Sequence, residues 1–160
     1  MKNGITLMSL VVMLVIMIIL TSTIIITSNS IINDSLGKSF GEEMYSVKNL
    51  VEEYEFMHGK YPLKNEVLEI DISLINENYK NQFEGENIID NKISFKEIDY
   101  ARAGVSKLNR GMKKQGDKDC YVFSTITKKI YYLQGVELDG KIYYTLTDEL
   151  YLKLGINEIN

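Results

Sequence analysis

The chain begins with a long hydrophobic stretch and acquires charge only afterwards. Residues 5–33 contain no Asp, Glu, Lys, Arg or His, and residues 10–20 are apolar on every side of a helix. As a helix, residues 5–33 would measure about 43 Å, against about 30 Å of hydrocarbon in a bilayer. A helix without a polar face must be surrounded by lipid or by other helices. The pattern therefore predicts a transmembrane or helix-packed segment over residues 5–33.

From Asp34 onward the pattern is that of an amphipathic helix. Apolar residues recur at spacings of three and four, which is the period of one helix face. This stripe consists of Leu36, Phe40, Met44, Val47, Val51 and Tyr54, and the charged residues off it are Glu42, Glu43, Lys48, Glu52 and Glu53. The N-terminal helix is therefore predicted to continue and to pack on a sheet. Gly37 and Gly41 lower the helix preference, which indicates a hinge near residues 34–41.

The segment "HGKYP", His58 to Pro62, predicts the end of this helix. Glycine at position 59 can take, without steric cost, the left-handed conformation that ends helices, and Pro62 prevents the helix from resuming. His58 is interpreted as a helix-end residue rather than as a ligand or base, because no second His and no Cys cluster accompanies it.

The remainder of the chain predicts a small antiparallel sheet. The predicted elements are a short helix around Ile72–Gln82, a strand around Lys92–Glu97, three antiparallel strands at Tyr121–Thr125, Lys129–Leu138 and Lys141–Leu146, and a terminal helix over Glu149–Leu154 capped by Asp148 and ended by Gly155. Asp139 and Gly140 predict a tight hairpin turn, and Gly135 a bulge. The predicted fold class is α+β, with a long N-terminal helix, transmembrane in its first half and amphipathic in its second, packed on this sheet.

Four tyrosines lie in the predicted strands, at Tyr131, Tyr132, Tyr143 and Tyr144. Successive strand residues point to opposite faces. One tyrosine of each adjacent pair is therefore predicted to cover the helix, while its neighbour stabilises a cross-strand pair on the outer face. An adhesive or subunit-contact surface is the alternative interpretation of the second set.

Composition and charge exclude several classes of function. All 22 acidic residues, and every basic residue except Lys2, lie at or beyond Asp34, so residues 34–160 form one small, mildly acidic domain. The solitary Cys120 cannot form an intramolecular disulfide and is predicted to be a buried residue at a strand start. No catalytic constellation, phosphate loop or cofactor motif is present, which argues against an enzyme. Asp117 with Asp119, and Glu137 with Asp139, are too sparse for a Ca²⁺ loop, so no metal site is predicted.

One basic segment, "KLNRGMKKQGDK", interrupts the acidic domain. It contains Lys107, Arg110, Lys113, Lys114 and Lys118. A solvated loop is the default interpretation of such a segment. The alternative is salt-dependent contact between these side chains and DNA phosphates, which would suit a DNA-uptake machine.

The stretch "GITLMSLVVMLVIMIIL" resembles the N-terminal segment of type IV pilins and of the pseudopilins of type II secretion and competence systems. The G-x-Y-P helix stop at residues 59–62 is similar to that family's pattern as well. The resemblance implies a leader at residues 1–4, cleavage between Gly4 and Ile5 by a prepilin peptidase, and N-methylation of Ile5. It also implies that residues 5–33 first anchor the subunit and then pack in a filament core, with Ile5, Thr6, Leu7 and Ser9 at the assembly contact. Residues 34–160 would be the extracytoplasmic pilin-like domain.

Ser9 occupies the position where the family usually has a glutamate, which favours a minor or atypical subunit. The implied partners are other pilin or pseudopilin subunits, the prepilin peptidase, an assembly platform protein and the lipid bilayer. Because Lys2 precedes the span and Asp34 is the first charge after it, the N-terminus is predicted in the cytoplasm and the domain outside the cytoplasmic membrane. The resemblance implies a place on a cell-surface filament after assembly. A single-pass, membrane-anchored sensory or ligand-binding protein that never assembles is the alternative, and an extracytoplasmic enzyme is the least favoured class.

Overall fold

The computed structural model describes residues 2–105 and 107–155, and the side chains of residues 2–9, 19–30, 153 and 154 lie outside that description. The chain divides into two compact units, Met1–Leu36 and Gly37–Asn160.

The first unit is helical throughout its described part. Helix α1 begins in this unit at Lys2 and ends in the second unit at His58. The described side chains of residues 10–18 are exposed by half or more, as are those of Ile31 and Ile32. No helix in the described part of the chain is both long enough and apolar enough to cross a membrane. Most side chains of the predicted span, residues 5–33, lie outside the part of the chain that the structure describes.

In the second unit, α1 carries the predicted apolar stripe. Phe40, Met44, Val47 and Val51 are all buried, with exposed fractions of 2% or less. The predicted end of the helix is also confirmed, since α1 stops at His58 and the next residue, a glycine, has a φ of +66°. The α+β class, with a helix packed on an antiparallel sheet, is thereby confirmed.

In the part of the chain that the structure describes, seven strands form two antiparallel sheets. The strands are β1 (Leu63–Asp71), β2 (Ile88–Ile89), β3 (Lys92–Ile98), β4 (Tyr121–Phe123), β5 (Ile130–Tyr132), β6 (Val136–Leu138) and β7 (Lys141–Tyr143). The larger sheet has the order β1-β3-β4-β5, with β2 also paired to β3, and the smaller sheet is the β6–β7 hairpin. Two short helices, α2 (Tyr100–Ala103) and α3 (Asp148–Leu154), and two 3-10 segments (Ile72–Leu74 and Glu77–Phe83) complete the fold.

Both faces of β4 and β5 are buried. On one face, the ring of Tyr132 lies 6.3 Å from that of Phe40 on α1. On the other face, the ring of Tyr131 stacks on Phe83 at 5.1 Å and lies 5.0 Å from Phe95. The predicted alternation of these tyrosines is therefore correct for β5, but the predicted outer face is wrong, because the 3-10 segment Glu77–Phe83 covers it. The tyrosine of β5 on that face contributes to a second core rather than to an exposed cross-strand pair.

The predicted strand Lys129–Leu138 is wrong as a single element. The chain turns at Gly135, whose φ is +73°, and β5 and β6 join different sheets. A Cβ atom at this glycine would lie 2.6 Å from the side chain of Ile142, so only glycine permits this close approach. The hairpin turn is confirmed, since Asp139 and Gly140 both have positive φ, as a two-residue turn requires.

Four further elements also differ from the predictions. The predicted helix at Ile72–Gln82 is the pair of 3-10 segments, and the strands predicted at Tyr121–Thr125 and Lys141–Leu146 are limited to the three residues of β4 and of β7. At α3 the cap is Thr147, whose hydroxyl accepts from the Leu150 N–H at 3.3 Å, and not Asp148, which is the first helical residue. Strand β3 agrees with its prediction to within one residue.

Candidate functional site

The predicted processing and assembly residues lie at the start of α1. The backbone of Gly4, Ile5, Thr6, Leu7 and Ser9 is helical. Their side chains lie outside the described residues, so cleavage, methylation and assembly at this segment stay predictions.

The predicted basic segment is a loop between α2 and β4, and its charges have different surroundings. Arg110 pairs with Glu43 at 3.0 Å, and Lys113 pairs with Glu97 at 2.8 Å. Lys107, Lys114 and Lys118 are exposed. Two of the predicted contact residues, Arg110 and Lys113, therefore have acidic partners within the protein, and a contact between this loop and DNA phosphates stays a prediction.

The ion pair of Glu43 and Arg110 attaches the loop to α1. The side chains are only 6% and 14% exposed. The carboxylate also accepts from the Arg110 backbone N–H at 3.0 Å, and the guanidinium carbon lies 5.9 Å from the Phe40 ring centre. The sequence prediction that Glu43 lies off the buried face of α1 is wrong. Arg110 compensates the charge of Glu43 and so allows its burial.

A second carboxylate, Glu97 at the end of β3, is buried between two lysines. Lys64 Nζ lies 2.6 Å and Lys113 Nζ 2.8 Å from its oxygens. Burial raises the pKa of Glu97, but the hydrogen bonds from Lys113 and Lys64 outweigh burial and hold that pKa below its ordinary value. The same contact raises the pKa of Lys113. Glu97 therefore ties the basic loop to both β1 and β3.

Asp119 organises the loop from its C-terminal end. Its Oδ1 accepts from the Gly111 N–H and from the Tyr132 hydroxyl, and its Oδ2 accepts from the Lys114 N–H at 2.8 Å and from the Gln115 N–H at 3.2 Å. Burial raises the pKa of Asp119, but these hydrogen bonds outweigh burial and hold it below its ordinary value. The carboxylate thus fixes the loop and connects it to β5.

Cys120 follows Asp119 and is fully buried, as predicted. Burial raises the pKa of its thiol to about 11. A thiol with this pKa is almost entirely protonated near neutral pH, so it is a poor nucleophile and a poor metal ligand. Among the described residues, no group of three or more His, Cys, Asp or Glu side chains is placed to hold a metal ion.

Sequence reasoning missed the burial of the carboxylates at positions 43, 97 and 119. Arg110 is 67 positions from Glu43, and Lys64 is 33 positions from Glu97. No periodicity or motif signals pairs so distant in sequence. For Asp119, the nearby glycines and lysines of the loop suggested a solvated turn, whereas the carboxylate is the centre around which that turn is built.

Two open clefts of similar size lie in the second unit. One, of about 530 Å³, lies between α1 and the basic loop. Its lining includes Ser39, Glu42, Lys107 and Lys114. The other, of about 600 Å³, lies between the 3-10 segment Glu77–Phe83, the β6–β7 hairpin and α3. Polar side chains from distant segments converge in both, which is a feature of ligand sites.

Comparisons with protein-family models, with curated proteins and with solved structures each gave no match. The fold is that of an α+β protein in which one long helix packs a stripe of buried apolar residues against an antiparallel sheet.

Proposed function

We propose that this chain is a non-enzymatic pilin-like or pseudopilin-like subunit, minor rather than major, of a type IV pilus, a type II secretion system or a competence pseudopilus. In this proposal residues 5–33 anchor the subunit in the cytoplasmic membrane and later pack against related helices. The domain from residue 34 onward is displayed outside. DNA is not required as a partner.

One observation carries the proposal. A Gly-Ile-Thr-Leu sequence at positions 4–7 opens a run that has no charged residue before Asp34. Such a run cannot be exposed to water along its whole length, because transferring its apolar surface out of water is strongly favourable. A cut at Gly4 would leave Ile5 as the new terminus of an otherwise apolar rod, suited to exchange lipid neighbours for related helices.

The fold supports the proposal in two ways. A helix that runs from Lys2 to His58 and packs its second half on an antiparallel sheet is the architecture that the resemblance implies. The helix stops at Gly59 in the left-handed conformation, three residues before Pro62. These features agree with the family pattern without being unique to it, so they support the proposal and do not carry it.

The alternative function is a membrane-anchored ligand-binding protein that never assembles. The cleft of about 600 Å³ favours this candidate, because it offers converging polar groups in the second unit. The two functions differ in what surrounds the apolar helix in the cell.

Photo-crosslinking from the apolar helix separates the two functions. A photoreactive residue at Leu14, whose side chain is 53% exposed, would be irradiated in cells that possess the assembly machinery. We expect crosslinks to pilin-family subunits or to further copies of this chain. The same residue at Asn65, an exposed position on β1, serves as the matched control for random capture. Crosslinks to lipid alone at Leu14 would contradict assembly and favour the anchored ligand-binding protein.

A further inference from the structure

The larger cleft of the second unit is built from three segments that are distant in sequence. The 3-10 segment Glu77–Phe83 forms one wall, the β6–β7 hairpin forms the second, and the first turn of α3 closes the end. Its volume is about 600 Å³. A space of this size accommodates a small ligand or a few units of a polymer.

The walls are held by hydrogen bonds that fix their spacing. The Gln82 side chain pairs with the hairpin as a strand would, donating to the Ile142 carbonyl at 2.7 Å and accepting from the Tyr144 N–H at 2.8 Å. The Tyr79 hydroxyl donates to the Gly140 carbonyl at 3.3 Å. These contacts explain why a glutamine is buried here. They also form the cleft in advance of any ligand, which lowers the entropic cost of binding.

A salt bridge closes the far end of the cleft. Lys141 Nζ lies 2.5 Å from Glu149 Oε1, so the hairpin and α3 are joined and the two charges compensate each other. Asp148 also lines the cleft, beside this pair. An anionic ligand would therefore be repelled by the Asp148 carboxylate, and the positive charge of Lys141 is already neutralised by Glu149. The cleft is therefore unsuited to anions.

The remaining lining groups are neutral hydrogen-bonding groups. Asn78 and Asn81 line the same wall and are both exposed. The hydrogen bonds described for these two residues use the backbone N–H of Asn78 and the backbone carbonyl of Asn81, and not their side-chain amides. An amide both donates and accepts, a carboxylate accepts, and the ring of Tyr79 offers a flat apolar face. An apolar ligand would leave these polar groups without partners, which costs binding energy.

We propose that this cleft binds a neutral glycan. Vicinal hydroxyl groups satisfy amides and a carboxylate at once, and the C–H face of a sugar ring suits the Tyr79 ring. The site lies entirely in the second unit, so it stands whether or not residues 5–33 assemble into a filament.

The test is binding of the full-length protein, purified in detergent, to an array of neutral and anionic oligosaccharides. We expect binding to neutral glycans by the wild type. The double variant Asn78→Ala, Asn81→Ala should bind about tenfold more weakly, because each amide contributes one or two hydrogen bonds. The double variant Asn49→Ala, Asn65→Ala, which removes two exposed amides elsewhere, should bind as the wild type does.

A second variant guards against a loss of binding through misfolding. Asp148→Asn keeps the size of the side chain and the Thr147 cap of α3, and it should weaken glycan binding while leaving the urea midpoint unchanged. Absence of binding to every neutral glycan would overturn the proposal. Binding to anionic glycans alone, or equal binding by the wild type and the Asn78, Asn81 variant, would overturn it as well.

Discussion

Replacement of Asp119 by asparagine tests how the basic loop is held. The carboxylate accepts four hydrogen bonds, two on each oxygen, from Gly111, Tyr132, Lys114 and Gln115. An asparagine retains one oxygen, so its NH₂ group must face either the Gly111 and Tyr132 donors or the two other backbone N–H groups. An NH₂ group that faces the Lys114 and Gln115 N–H groups loses both of their hydrogen bonds, whereas one that faces the other pair loses the Gly111 bond, because the Tyr132 hydroxyl can also accept.

The magnitude is worked for the orientation in which the NH₂ group faces Lys114 and Gln115 and two hydrogen bonds are lost. Hydrogen bonds to a charged acceptor contribute about 1.5–3 kcal/mol each, and a buried donor without a partner adds to the cost. Water can reach the Lys114 and Gln115 amides, which are partly buried, so the amide group should turn toward them. We expect the free energy of unfolding to fall by about 3 kcal/mol, near the lower end of that range for two bonds.

The variant should also lose a pH dependence. The pKa of Asp119 is held below its ordinary value in the folded protein, so the ionised carboxylate stabilises the fold above that ordinary value. This stabilisation is lost as the pH falls through the lowered, folded-state pKa. The wild type should therefore lose stability on acidification below about pH 4, and the asparagine variant should lose less over the same interval.

The assay is urea unfolding of the full-length protein in detergent, at neutral pH and at several acidic pH values. Asp117→Asn, an exposed carboxylate two positions away, is the matched control and should change stability by less than about 0.5 kcal/mol. Equal effects of the two substitutions, or identical acid profiles for the wild type and the Asp119 variant, would refute the assigned role.

Three further predictions concern the second unit. Glu43→Gln breaks a buried ion pair and should lower the free energy of unfolding by about 3 kcal/mol in urea, whereas Glu42→Gln at an exposed neighbouring position should change it little. Gly111→Ala would bring a Cβ atom within 2.4 Å of a ring carbon of Tyr121 and should lower the free energy of unfolding by about 3 kcal/mol. Gly104→Ala is the control, since Gly104 has a similar positive φ but nothing within 4 Å, and it should lower the free energy of unfolding by about 1 kcal/mol in the same assay. Cys120 should react with a thiol reagent at pH 8 only as fast as the protein unfolds, and rapid labelling of the native protein would contradict its burial.

Features governed by local periodicity were predictable from the sequence. The stripe of α1 recurs every three or four residues, and four of its members are buried as expected. The turn at Asp139 and Gly140 follows from residue types that tolerate positive φ. Strand β3 alternates buried and exposed positions, so it too was recognised.

Features that depend on distant partners were not predictable. Strand β1 (Leu63–Asp71) lies at the edge of the sheet and is largely polar, so its sequence lacks the alternation of a half-buried strand. Glu43 was placed on the solvent side, because its arginine partner lies 67 positions away. The break after β5 depends on the approach of Ile142 to Gly135, which only the folded hairpin creates.

The most direct test of the proposed function is the mass of the mature N-terminus, measured on protein isolated from membranes of cells that possess a prepilin peptidase. We predict a chain that begins at an N-methylated Ile5, and a Gly4→Val variant that keeps its leader serves as the control for specific cleavage. A wild-type protein that retains residues 1–4 in such cells would contradict the assignment.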